Sequence, residues 1–347
     1  MKKIKNKKIR ERLYQSSILK KIRHRNRYIR NRNILRNKRK RKPKSFISQF
    51  PSYINICIPK DFDCRNNIES VLGTLKDIYN KCQPFYIRHI HFDFRNIIKI
   101  DLYSICMLLS LINKLSSRMS SGGNYPLDDN ARNIIIDSGF SDLVNTNIKI
   151  PTNKEFRNHM YMVGKNHVEA SRIGKYIKEA MVYLSGTETH FPPVYDCIIE
   201  ICSNSVEHSN NEEKNKNWLI SISYEPRKIH FILTDTGEGI LKTLHKKKVE
   251  MFRDTIFFKK DDNVLLSVFN KEYQSRTGEI NRHKGLPNVM DAFKDGYIGE
   301  LKVLTNYVFY DFTTMKSSIL DTEFSGTMFS WTITRANFEK WKLENCA

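Results

Sequence analysis

The sequence predicts an α/β protein with two folded units behind a basic N-terminal tail, and three observations carry that prediction. From about residue 53 onward, apolar spacing switches repeatedly between strand-like and helix-like periods. The 347 residues are 40% hydrophobic, enough for two cores of ordinary size and too little for a membrane-embedded chain. Charge is also unevenly placed. Residues 1–44 hold 21 Lys/Arg and one acid, Glu11, whereas residues 45–347 hold 38 Lys/Arg against 36 Asp/Glu. The basic character therefore belongs to the tail and the body is near neutral.

Such a block repels itself and stays extended or only transiently helical without a polyanion. Its apolar residues, among them Ile9, Leu13, Ile22, Ile29 and Leu35, recur at roughly helical spacing. A helix formed on nucleic acid or an anionic surface is one reading, and a solvated extension with no dedicated partner is the other. The longest apolar stretch, around Ile105–Ile112, is too short to span a bilayer, and the N-terminus lacks the apolar core of a secretion signal. Seven cysteines, odd in number and without a CxxC pair, suggest reduced thiols in a cytoplasmic protein and argue against a zinc site.

The first folded unit is expected over residues 53–150. Ile54, Ile56 and Ile58 alternate as in a strand, Ile68–Tyr79 has helical spacing, and Ile87–Phe94 is rich in strand formers. Asp101 is placed as the N-cap of an apolar helix reaching Leu115. Residues 120–124 (Ser-Ser-Gly-Gly-Asn) break the pattern, and a short helix at about 128–138 closes at Gly139. Residues 151–190 read as a connector followed by a helix over Val168–Leu184. Pro192 and Pro193 then open a helix running to about His208. Two alternating runs, Trp218–Tyr224 and Lys228–Thr234, flank Glu225-Pro226-Arg227 as an antiparallel hairpin. A Lys/Asp-rich stretch at 241–284 precedes a helix at about 286–293 and strands at about 299–310 and 326–334.

Four motifs carry chemistry. In the first, spacing of four puts Glu200, Asn204 and His208 on one helical face, beside an apolar stripe of Val194, Cys197, Ile198, Ile201 and Cys202. Asn204 can offer its carbonyl oxygen to Mg²⁺, and Glu200 can orient or deprotonate a water. The bland reading is a solvated ridge. In the second, Asp235 ends a strand and is followed by Gly237 and Gly239, a carboxylate beside backbone that a flat ligand can approach. An Asx-capped turn gives the same letters. Third, Lys284 and Gly285-Leu286 start a helix as a phosphate cradle. Fourth, Gly326-Thr327 opens a terminal strand.

In order and spacing these motifs resemble the GHKL ATPase pattern of sensor histidine kinases, anti-sigma-factor kinases and DNA gyrase, over about residues 165–335. The E-x-x-x-N-x-x-x-H helix is most similar to the anti-sigma-factor kinase branch. The resemblance implies a two-layer α/β sandwich (the Bergerat fold) that binds ATP and Mg²⁺. It implies that Asp235 reads adenine and that Gly237 and Gly239 form the pocket floor. It further implies that Asn204 holds the metal, Glu200 helps activate the phosphoryl acceptor, and Thr327 supports the adenine site. His208, Lys284, Gly285 and Leu286 would also contact the nucleotide, with residues 241–284 as a mobile lid.

The chain departs from sensor kinases in having one glycine, Gly285, in the phosphate loop. It also lacks an acid-flanked phosphoacceptor context at His159 or His167, which read as ordinary surface histidines. Residues 53–150 more faintly resemble STAS domains, the partner fold of anti-sigma-factor kinases. The usual phosphorylation turn reads Asp101-Leu-Tyr-Ser104 here, which makes Ser104 a core or capping position rather than a phosphosite. Several functions stay open: an ATP-binding regulator whose nucleotide state changes the lid and so the docking of a partner, a second copy or the STAS-like domain; an ATP-dependent serine/histidine-type kinase; a nucleic-acid-associated ATPase using residues 1–44; and a degenerate nucleotide-sensing interaction module.

Overall fold

The computed structural model describes residues 52–116, 118–144, 159–163, 170–207, 218–235, 237–249, 261–270 and 285–345. The basic tail lies outside the described residues. The first unit opens with β1 (Tyr53–Cys57) and the short β2 (Asp61–Phe62), followed by α1 (Ile68–Lys81). Asn67 caps α1 by accepting the Ser70 amide at 3.1 Å. Next come β3 (His89–Asp93), β4 (Lys99–Ile100), α2 (Leu102–Ser116), β5 (Ser120–Gly123), α3 (Asp129–Asp137) and the helical turn α4 (Phe140–Leu143). Strands β1, β3 and β5 form a parallel sheet in that order, and β2 pairs with β4.

Residues 120–124 do not interrupt this unit, as their composition suggested. Ser120–Gly123 is the third parallel strand, and a Cβ on Gly123 would lie 2.6 Å from the Phe92 carbonyl oxygen. Glycine is there because two backbones approach closely, and it leaves no hydrophobic trace in the sequence. Asp101 caps α2 as expected, accepting the Ser104 amide at 2.9 Å. Ser104 is fully buried. Its hydroxyl donates to Asp101 Oδ1 at 2.6 Å and accepts the Cys64 amide at 2.9 Å. It is a core position.

The second sheet is antiparallel, in the order β6-β7-β8-β10-β9. Its members are β6 (His159–Val163), β7 (Trp218–Glu225), β8 (Lys228–Asp235), β9 (Gly299–Asp311) and β10 (Lys316–Thr334). Strand β6 lies in the stretch read as a connector, and β10 starts ten residues before the expected Gly326. Helices α5 (Ala170–Ser185), α6 (Pro192–Glu207) and α9 (Gly285–Lys294) occupy the expected positions. The expected lid contains two helices, α7 (Ile240–Val249) and α8 (Asp261–Phe269), with 250–260 and 271–284 outside the described residues. Leu241, Val264, Leu265 and Phe269 are core residues, so those parts of the segment are packed. A last helix, α10 (Arg335–Asn345), was not anticipated. It docks Phe338 and Trp341 edge-on against Phe191.

The antiparallel sheet is covered on both faces. Ile229, Phe231 and Leu233 of β8 enter the core built by α5, α6 and α9. Ile232 of β8, Leu219 of β7 and Met328 of β10 enter the core built by α1, α2 and the parallel sheet. Strands buried on both faces read as continuous apolar runs, and Ile229–Leu233, apart from His230, is such a run rather than the alternating one expected. The layers therefore run parallel sheet, helices, antiparallel sheet, helices.

Tyr103, His230 and Ser330 pair with one another in the inner core, whereas the buried hydroxyls of Ser110 and Thr234 have no hydrogen-bond partner among the described residues. Tyr103 of α2 bonds His230 Nε2 at 3.0 Å and donates to Ser330 Oγ at 3.1 Å. Burial, followed by the cations Lys228, Arg65 and Lys302, lowers the His230 pKa from 6.5 to about 3. The Glu225 carboxylate, 4.0 Å from Nδ1 and partly exposed, does not offset them. The folded protein holds this imidazole neutral while the unfolded chain protonates it below pH 6.5. Its contribution is thus complete above pH 6.5 and is lost as pH falls toward 3. Between pH 7 and 5 we expect it to remove roughly 2 kcal/mol of stability. Urea unfolding should show a shallower pH dependence in His230→Gln than in wild type. Equal losses in the two proteins would place the pH dependence elsewhere.

Candidate functional site

The site is assembled where α6 passes the end of β8. The α6 stripe folds as read: Val194, Cys197, Ile198, Ile201 and Cys202 are all buried in the core beneath the sheet. Glu200 sits on the opposite ridge, and its Oε1 accepts Asn288 Nδ2 at 3.3 Å, linking α6 to the first turn of α9. The Asn204 backbone follows one helical turn later on the same ridge. His208 lies outside the described residues.

Asp235 closes β8. Its Oδ1 accepts the Gly237 amide at 2.8 Å and the Thr327 amide at 3.1 Å, so one carboxylate oxygen ties the loop after β8 to strand β10. The carboxylate borders α6, where burial and then Asp235 raise the Cys202 thiol well above its ordinary value. Cys197 is raised by burial, Asp196 and Glu200. Both cysteines are therefore neutral thiols without nucleophilic character.

Three glycines permit close packing in this region, two against Asp235 and one against Asn306. A Cβ on Gly237 would lie 3.1 Å from Asp235 Oδ1. Gly326, at φ 129°, would place a Cβ 2.2 Å from the Asp235 carbonyl oxygen. Gly239, at φ 87°, would place one 2.5 Å from Asn306 Oδ1. Glycine is needed at Gly326 and Gly239 because protein atoms already occupy the space a Cβ would take and the backbone is left-handed there.

Sequence reading missed the groups that hold the loop over residues 237–242. Thr305 Oγ1 accepts the Ile240 amide at 2.8 Å, satisfying a donor at the start of α7. Asn306 is buried and left-handed, at φ 53°. Its Nδ2 donates to the Glu238 carbonyl at 2.8 Å and to Glu323 Oε1 at 3.1 Å, and its Oδ1 accepts the Lys242 amide at 3.2 Å. Lys242 also pairs with Glu323 at 2.5 Å. The only sequence signal was an asparagine interrupting an apolar strand, the residue type that best tolerates that backbone after glycine.

On the third side α9 begins at Gly285, which is buried, as is Pro287; Leu286 packs partly buried against the core. Lys284 lies outside the described residues. Asp235, Gly237 and Thr327 are thus joined directly at the end of β8, Gly239 packs on Asn306, and Glu200 is joined through Asn288 to the helix that begins with Gly285 and Leu286. Among the described residues no group of three or more His, Cys, Asp or Glu is placed to hold a metal ion. An open cleft of about 540 Å³ lies between α5 and the start of α6, lined by Gly174, Lys175, Lys178, Glu188, His190 and Tyr195. It contains none of the expected site residues.

Among the described residues no helix is long and apolar enough to cross a membrane. Comparison of the chain with protein-family models and with curated proteins finds no match. The functional reading therefore rests on residues and geometry.

Gly326→Ala should destabilise the protein by on the order of 2 kcal/mol or more, since its Cβ meets backbone rather than a flexible side chain. Gly73→Ala, on helix α1 with nothing within 4 Å of its Cβ, should be neutral or stabilising. The two denaturant midpoints measured side by side give the comparison.

Proposed function

We propose that this chain binds ATP and Mg²⁺ in the manner of GHKL proteins and acts as a signalling ATPase or kinase. The observation that carries the reading is Asp235. Its carboxylate ends a strand, is held by the Gly237 and Thr327 amides, and is flanked by glycines on both attached segments. That is the arrangement needed to accept a hydrogen bond from an exocyclic ring amine.

The remaining residues extend the reading toward the phosphates. Asn204 would offer its carbonyl oxygen to the cation, and bound Mg²⁺ would neutralise charge on the phosphate oxygens. Glu200, oriented by Asn288, would position or deprotonate the attacking hydroxyl or water. Lys284 and the start of α9 would cradle phosphate. Gly285 as the single glycine there makes nucleotide binding better supported than turnover.

The acceptor of any phosphoryl group is not Ser104 of the folded chain, which is fully buried and doubly hydrogen-bonded. A regulatory role through a separate protein partner fits best. The net charge of the tail favours one other reading, a nucleic-acid-associated ATPase, which predicts hydrolysis stimulated by RNA or DNA and lost on deleting residues 1–44.

Calorimetry with ATP-Mg²⁺ tests the reading. Wild type should bind with micromolar affinity, about −8 kcal/mol. Asp235→Asn should weaken binding by about 30-fold or more, as expected when a charge-assisted hydrogen bond is lost. Asn204→Ala should weaken binding only when Mg²⁺ is present. A wild-type protein indifferent to ATP would remove the kinase and ATPase readings together.

A further inference from the structure

Strand β10 changes allegiance between Leu320 and Met328. Leu320, Phe324 and Met328, at every fourth position, enter the core built by α1 and α2. Between them, pairing with β9 is irregular, with register shifts between Ile319 and Phe324 and again between Phe324 and Thr327. Asp321 and Thr322 have no ladder partner on β9 there, so their amides need another acceptor. Glu69, in the first turn of α1, supplies it. One carboxylate oxygen accepts the Asp321 amide at 2.6 Å and the other accepts the Thr322 amide at 3.2 Å. Lys114, in the last turn of α2, reaches Ser325 Oγ at 3.2 Å.

The same stretch faces the Asp235 site from its other side. Glu323 meets Asn306 and Lys242, Gly326 passes against the Asp235 carbonyl, and Thr327 donates its amide to the Asp235 carboxylate. Seven residues therefore connect the α1 carboxylate to the amide that orients the carboxylate of the site. Pairing with β9 resumes at Phe324↔Asn306 and Thr327↔Thr305, but over Leu320–Glu323 the ladder is interrupted, and there the contacts from α1 supply the acceptors that the ladder does not.

We propose that Glu69 is a positioning residue of the Asp235 site. It acts through β10, so that the docking of α1 sets the geometry, and with it the ligand affinity, of the site on the far side of the sheet. The consequence for affinity rests on the nucleotide-binding reading, whereas the consequence for geometry does not. Coupling of this kind is reciprocal: a ligand held by Asp235 and Thr327 would tighten the α1 contact in turn.

Amide hydrogen exchange resolved by NMR on the full chain without nucleotide separates the two. In Glu69→Ala we expect exchange about tenfold faster at Asp321 and Thr322 and also at Thr327 and Gly237. The β7 amide of Ile220 should keep its wild-type rate, which excludes global loosening. Glu69→Gln, which retains shape and one good acceptor, should recover most of the protection. If the alanine variant does not fold, Glu69→Asp, which withdraws the carboxylate by one methylene from the Asp321 and Thr322 amides, carries the same test with the same expected pattern. Faster exchange confined to Asp321 and Thr322, with Thr327 and Gly237 unchanged, would overturn the proposal, leaving Glu69 as a local cap. ATP affinity measured on the same variants should fall by about the same factor as Thr327 protection. Should wild type bind no ATP while Thr327 still responds to Glu69, the positioning role stands and only the nucleotide reading falls.

Discussion

Burial of both faces of the antiparallel sheet is the constraint from which the remaining features follow. A sheet clad on one side can alternate apolar and polar residues, but a clad-on-both sheet must make its central strands apolar throughout. Strand β8 does this from Ile229 to Leu233, with one exception, His230. A polar group there is tolerable only if it is uncharged and hydrogen-bonded, and Tyr103 from α2 provides the bond. The inner helices thus supply polar partners as well as apolar cover. Trp331 of β10 stacks on Phe231 of β8 at 5.6 Å on the outer-helix side, so the same two strands anchor both cores.

That double cladding determines where a ligand site can be. With both faces filled, the accessible backbone is at strand ends, and Asp235 is the last residue of its strand. The site then needs walls. α6 contributes one because its apolar stripe turns the Glu200 ridge away from the core. The segment from Gly237 into the first turn of α7 contributes another, held by Thr305 and Asn306 as well as by Asp235. A glycine-bearing loop gains fixed geometry only from such external bonds, because its own backbone restricts it least.

Much of this was legible in the sequence, and what was not has identifiable causes. Helix α6 could be read because its stripe and ridge are separate on a 3.6-residue period, and the β7–β8 turn because Pro226 and Arg227 interrupt two apolar runs. The cladding was misread because a local window cannot tell alternation from a run with one buried histidine. Strand β5 was lost because glycines chosen for close backbone approach look like a linker. The roles of Thr305, Asn306 and Glu323 were invisible since each acts across more than fifteen residues of chain, on Ile240, Glu238 and Asn306 respectively. Asp235 and its glycines were found because strand, acid and turn are contiguous.

The shared sheet also changes the relation between the two units expected from the sequence. A separate partner domain would present a mostly polar surface and dock reversibly. Here Leu320, Phe324 and Met328 of β10 and Ile232 of β8 lie in one core with Val71, Leu72 and Ile105 of α1 and α2. Separating them would expose that core and leave His230 and Ser330 without Tyr103. The cost of such exposure, about 25 cal/mol for each Å² of apolar surface, makes the first unit a permanent layer of the fold rather than an exchangeable partner. Regulation built on this architecture would then act by shifting a strand register of a few residues, as at Asp321–Thr327, and not by releasing a domain.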